Sequence, residues 1–195
     1  MRMDDFWRLV DEARQGVAES EIMGDEIAAK LIDRLVTGPL PEILDFSNCF
    51  DHASSRAFQW KLWAAAELIW GWTSDDTFQS FRSGLIGLGR EAFERIVADP
   101  DALADHPLVQ RIARGEVGTE ILDMEPLENV ALYAYERLAG DEEDGFWTAI
   151  DEHDTPLEDD EGDEGERFDL RDPAEVRRRL PRLTAVFPSQ SMTIR

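Results

Sequence analysis

The chain has 195 residues, a formal net charge of −23 at pH 7 and a single cysteine. This length suits one domain with a hydrophobic core, and one cysteine excludes an internal disulfide. Because phosphate binding depends on Lys and Arg, we expect no direct binding to nucleic acid and none to an anionic membrane. No apolar run approaches the roughly 18 residues that a membrane span needs. A basic partner, in contrast, would be attracted.

Three amphipathic helices are predicted in the first 57 residues, where apolar residues recur every three or four positions. Asp4 or Asp5 is the predicted cap of the first helix, and Ser20 that of the second. The second helix should end at Pro39. Leu40-Pro41 should open the third, because proline suits the first turn of a helix, where its missing N–H is not needed.

The stretch from Phe58 to Ile96 carries the strongest core signal, with four of the six tryptophans. Its first helix is apolar nearly all round and should be central, ending at Gly71. Residues 73–76, Thr-Ser-Asp-Asp, offer several N-caps for the next helix. Two glycines, Gly87 and Gly89, then mark a break before another short helix. These features predict a helical hairpin at the centre of the fold.

Shorter helices are predicted after residue 99, starting at Pro100, Pro107 and Pro126. No alternating strand pattern of convincing length appears in the sequence, so the predicted fold class is all-α. We expect a compact single-domain bundle of about six to eight helices, formed by residues 1–140.

Charge separates the remainder of the chain into two segments. Residues 141–166 hold 14 acidic residues and no Lys or Arg, which predicts a flexible acidic linker. Three apolar residues within it, Phe146, Trp147 and Ile150, could dock as a short helix. Residues 167–195 are basic, with seven Arg against three acids, and regain enough apolar residues to pack back on the domain.

Five segments of the sequence together resemble a known family. They read FWRLVDEAR, PEILDF, QWKLWAAAELI, SDDTFQSFRSGLIGLGREAFERIVADPDALAD and RRRLPRLTAVFP. They are similar to the bacterial family catalogued as domain of unknown function 4240, common in actinobacteria, and the likeness is densest from Met3 to Asp105. The resemblance implies a small helical bacterial protein. It supplies no reaction, cofactor or catalytic residue.

The first candidate for a binding site consists of Trp72, Asp75, Asp76, Arg82 and Arg90. Two carboxylates and two guanidinium groups beside an aromatic cluster could bind a polar ligand or hold a general acid. The competing interpretation is that the aspartates cap a helix and the arginines pair with acids. The aromatic cluster could likewise be a ligand pocket, although its helical spacing favours a packed core. Trp72, beside a glycine at a helix break, could anchor a partner.

Other residues give little support for an enzyme. His52, His106 and His153 are scattered, and Cys49 with His52 would supply only two metal ligands, so a small buried hydrophobe is the better interpretation of Cys49. No nucleophile elbow, phosphate loop or dinucleotide fingerprint is present. The sequence therefore identifies no catalytic residue and no metal or cofactor site.

Three functional hypotheses remain open. The leading one is a non-catalytic protein–protein interaction or regulatory module. The second is an enzyme or small-ligand-binding protein that uses Asp75, Asp76, Arg82 and Arg90 beside an aromatic pocket. The third is an acidic, immunity-like inhibitor of a basic partner, in which residues 141–166 imitate nucleic-acid phosphates. We expect a cytoplasmic location, because the first residues lack the apolar segment of a secretory signal, and a homo-oligomer is compatible with each hypothesis.

Overall fold

The amphipathic segments of the first half fold as helices in the predicted order. A computed structural model describes residues 1–140, 144–153, 155 and 163–188. The first six helices are α1 (Met3–Arg14), α2 (Met23–Leu35), α3 (Leu40–Arg56), α4 (Trp60–Trp70), α5 (Asp75–Gly87) and α6 (Arg90–Ala98).

Shorter helices make up the second half. They are α7 (Pro107–Ala113), α8 (Val130–Ala139), α9 (Gly145–Glu152), α10 (Pro173–Arg179) and α11 (Pro181–Val186), with 3-10 helices at Pro100–Asp105, Thr119–Leu122 and Glu125–Asn129. The described ranges hold no strand, so the all-α prediction is confirmed there. Their eleven α-helices exceed the expected six to eight, because short segments such as α9 to α11 also become helical. None of the helices in these ranges is long and apolar enough to cross a bilayer.

Local sequence signals fix several of the helix ends. Gly71 ends α4 in the left-handed region, with φ +80°, which glycine adopts without steric cost. Ser74 caps α5 through a reciprocal pair of hydrogen bonds with Thr77, a capping box. The caps predicted for the first two helices are wrong. Arg2 and Ile22 precede those helices, and neither cap makes a side-chain hydrogen bond.

The core lies where α1, α2, α3, α5 and α8 pack on one another. Phe78, Phe81 and Phe93 of the central stretch are fully buried, as the helical spacing of these residues indicates. Trp7 of α1 packs against Phe93, with ring centroids 4.8 Å apart. This aromatic packing joins the N-terminal helix to the α4–α6 region.

The C-terminal helix α11 lies against the first 140 residues, and α10 packs on α11. Leu180 and Leu183 are fully buried, and α11 packs on the 3-10 helix Pro100–Asp105 and on α4. The buried carboxylate of Asp101 accepts hydrogen bonds from the backbone N–H groups of Arg182 at 3.1 Å and Leu183 at 2.9 Å. The Nε of Arg182 also donates to Asp101, at 3.0 Å. We call these contacts the Asp101 clasp.

The division into domains stays a prediction. The flexible linker predicted over 141–166 falls in part on residues 141–143, 154 and 156–162, which lie outside the described residues, as do residues 189–195. Within the described part, the predicted short helix is confirmed as α9, in which Phe146 is buried.

Candidate functional site

An open groove with a volume of about 690 Å³ runs along one face of α4 to the start of α5. We call it the α4 groove. The segment 167–171, which precedes α10, forms the opposite wall. The lining residues are Trp60, Trp63, Glu67, Thr73, Asp75, Arg167, Phe168, Asp169, Leu170 and Arg171.

The helical repeat places three α4 side chains in this groove. Trp60, Trp63 and Glu67 are three and four residues apart, so they share one face of the helix. Each of the three is partly exposed, whereas Leu62 and Ile69 on the other side of α4 are fully buried. The helix is therefore apolar nearly all round but does not bury all of its apolar surface.

Aromatic rings form the floor of the groove. Trp63 stacks on Phe78, with ring centroids 4.6 Å apart, and lies 6.0 Å from the ring of Trp60 at an interplanar angle of 13°. The guanidinium carbon of Arg167 lies 4.7 Å from the centroid of the Trp60 ring, within the range of a cation–π interaction. The backbone N–H of Trp60 donates to the carbonyl oxygen of Glu164 at 3.0 Å and holds the 167–171 wall in place.

Polar groups line the walls of the α4 groove. Burial raises the pKa of Glu67, and the nearby charge of Arg171 partly opposes that shift. The hydroxyl oxygen of Thr73 is buried and has no hydrogen-bond partner among the described residues. Asp75 is exposed at the edge. Glu67 and Asp75 are two of the three carboxylates that line the groove. Carboxylates beside aromatic faces favour an ammonium or guanidinium group as the ligand.

The structure places only part of the predicted constellation at the α4 groove. Asp75 lines it. Trp72 directly precedes the lining residue Thr73 and is 68% exposed, among the most exposed large apolar side chains in the described ranges. Asp76 is exposed in the first turn of α5 and is not among the lining residues.

The two predicted arginines are engaged elsewhere. Arg82 donates to the carbonyl oxygen of Ser54 at 3.0 Å and to its hydroxyl at 2.9 Å, with its guanidinium over the ring of Phe58 at 5.1 Å. Arg90 pairs with Asp4 of α1 at 2.7 Å. The structure thus does not bring Arg82 and Arg90 into the groove with Asp75.

Sequence reasoning missed the cations that line the groove, Arg167 and Arg171, because they lie about 100 residues from α4 along the chain. It also assigned Trp60 and Trp63 to the core. The signal in the sequence was Glu67, a carboxylate seven residues after Trp60 on a helix whose only other charged residue is Lys61.

Cys49 is fully buried on α3, and burial raises the pKa of its thiol to about 11. It is therefore a protonated, small apolar residue at neutral pH. Among the described residues, no group of three or more His, Cys, Asp or Glu is arranged to hold a metal ion.

Comparison with known proteins gives one match. A family model described as a protein of unknown function (DUF4240) matches residues 1–137. The match includes α4 and α5 but ends before the 167–171 wall of the groove. No curated protein and no solved structure matches the chain significantly.

Proposed function

Because the chain belongs to the DUF4240 family, for which no function is described, we propose from the α4 groove itself that the protein is a non-catalytic interaction module. In this proposal the groove binds a basic segment of a protein partner. An arginine or lysine of that segment lies on the tryptophan rings, with Glu67 and Asp75 as its counterions.

The position of Arg167 carries this proposal. Its guanidinium already lies over Trp60, 4.7 Å from the ring centroid, so this surface accepts a planar cation. A partner's cation would replace Arg167 on Trp60 or occupy the neighbouring Trp63. The net charge of −23 would also speed the approach of a basic partner.

Trp72 supports a protein as the ligand. A tryptophan that is 68% exposed beside a groove is the type of side chain that contributes most to protein–protein binding. In the proposed complex, Trp72 packs on the partner outside the groove while the cation enters it.

A pair of matched peptides tests the proposal. We expect a short peptide with one central arginine to bind, and the same peptide with citrulline, its uncharged analogue, to bind about tenfold more weakly or worse, because the charge-assisted contact is lost. Asp75→Asn and Glu67→Gln should each weaken binding of the arginine peptide, as measured by calorimetry.

Asp76→Asn is the control, because Asp76 is the next residue on the same helix turn and does not line the groove. It removes the same charge and should leave the affinity nearly unchanged. Equal binding of the citrulline peptide would refute the proposal. So would equal losses in the Asp75 and Asp76 variants, which would indicate a general charge effect.

A second candidate is a small organic cation, favoured by the volume of about 690 Å³, which lies within the usual range of small-molecule sites. Arginine amide, titrated against the same variants, distinguishes the two. Binding of the amide as tight as that of the peptide would favour the small molecule. Loss of peptide affinity in Trp72→Ala would favour the protein partner.

A further inference from the structure

A second pocket, of about 420 Å³, lies where α1 ends and where α6 and α7 begin. We call it the α1–α6 pocket. Arg14, Arg95 and His106 line it, together with Asp11 and Glu91, and it shares no lining residue with the α4 groove.

Among the described residues, the two arginines in this pocket have no carboxylate partner. Neighbouring arginines form ion pairs, such as Arg90 with Asp4 at 2.7 Å and Arg8 with Glu12 at 3.2 Å. Arg14 and Arg95 form no ion pair with any described residue, although acids outnumber bases two to one in the chain. The Nε of Arg14 is also buried and has no hydrogen-bond partner within the described ranges. A buried donor without a partner is costly, and a ligand could satisfy it.

His106 supplies a third donor. Its Nδ1 accepts a hydrogen bond from the backbone N–H of Leu108 at 3.3 Å, so the proton of the neutral ring lies on Nε2. Burial, with the charges of Arg95 and Arg14, lowers the pKa of His106, and Glu19 opposes this shift. The ring is therefore neutral at pH 7 and can donate from Nε2.

We infer that the α1–α6 pocket binds a phosphate group, held by Arg14, Arg95 and the Nε2 of His106. Two guanidinium groups and one neutral N–H donor suit the several acceptor oxygens of a phosphate. The two acids of the pocket are exposed, so water weakens their repulsion of the phosphate. The Oδ1 of Asp11 is also engaged, because it accepts the backbone N–H of Arg90 at 3.0 Å.

The imidazole NMR signals of the three histidines test this inference in the full chain. We expect inorganic phosphate to shift the signals of His106 with saturation, at a dissociation constant near or below about 1 mM. The signals of His52 and His153 should move little, since neither histidine lines the pocket. Sodium chloride at the same ionic strength should not reproduce the shift. A second titration with glycerol phosphate shows whether a phosphate ester binds as well as the free ion.

Arg95→Gln and Arg14→Ala should each weaken phosphate binding about tenfold or more. Arg8→Ala, on the same helix as Arg14 but outside the pocket lining and already paired with Glu12, is the matched control and should bind normally. Arg95 is exposed, so its variant should fold even if the Arg14 variant does not. The inference fails if phosphate gives no saturable shift of His106, or if the shift is unchanged in Arg95→Gln.

Discussion

At the residue scale, close packing on α5 depends on glycines. The chain crosses this helix at Leu122 and Met124, and the backbone N–H of Met124 donates to the carbonyl oxygen of Ser80 at 3.4 Å. A Cβ atom built on Gly84 would overlap the carbonyl oxygen of Leu122, which belongs to the backbone and cannot turn aside. A Cβ built on Gly87 would instead meet the flexible side chain of Met124. The same substitution should therefore have different effects at the two glycines.

Gly84→Ala should lower the free energy of unfolding by about 1–3 kcal/mol, the usual cost of overpacking. Alanine gains up to about 1 kcal/mol over glycine in helix propensity, which offsets only part of this cost. Urea denaturation measures the difference. Gly87→Ala, one turn later on α5, is the control and should lose less. A Gly84→Ala protein as stable as the wild type would contradict the close approach of Leu122.

At the scale of elements, α11 is fixed to the fold through the Asp101 clasp. One buried carboxylate satisfies two backbone N–H groups at the start of a six-residue helix, which would be too short to form alone. Asp99 and Asp105 also contact Arg182, each at 2.5 Å, but both carboxylates are exposed. Removal of Asp101 would therefore leave backbone N–H groups without an acceptor, whereas removal of Asp99 or Asp105 would only break an exposed ion pair with Arg182.

Asp101→Ala should destabilise the fold by about 1–3 kcal/mol, because it leaves the buried backbone N–H of Leu183 without an acceptor. Asp99→Ala and Asp105→Ala remove exposed ion pairs only and should cost less than about 1 kcal/mol each. Denaturant unfolding gives the energies, and hydrogen exchange at the amide of Leu183 localises the effect to α11. Equal losses in the three variants would show that charge, and not the clasp, holds α11.

Several elements with local signals could be predicted from the sequence, although the caps of α1 and α2 were not, and contacts between distant residues could not be predicted. Gly71, the Ser74 cap and the Pro41 start each act within one helical turn, and all three appear where expected. The wall of the α4 groove is different. Arg167 lies over Trp60 only because the intervening chain brings these two distant residues together. No local sequence pattern indicates that contact.

At the scale of the whole molecule, the excess of acids extends to partly buried positions. Burial raises the pKa of Glu67 in the α4 groove and that of Glu128, which accepts hydrogen bonds from Ser83 and Gln79. A carboxyl whose pKa is higher in the folded state than in the unfolded state favours folding while protonated. Both groups therefore make stability depend on pH.

The contribution of Glu67 to the free energy of unfolding should fall as the pH rises from about 4.3, the ordinary pKa of Glu, through the raised pKa of Glu67. Glu67→Gln removes this contribution, so the variant should be at least as stable as the wild type at pH 7. The stability difference between the two proteins should grow with pH. Thermal unfolding at several pH values measures it. Glu12→Gln, at an exposed site, is the control for the net charge.

The Asp101 clasp also has a consequence for protein synthesis. Leu183 lies 82 residues after Asp101 in the chain, so at about 5–20 residues per second its codon is reached roughly 4–16 s later. In the folded protein, α11 covers apolar surface on α4 and on residues 100–105. During that interval, this surface is not yet covered by α11. A nascent chain that stalls before Leu183 would present this patch to chaperones.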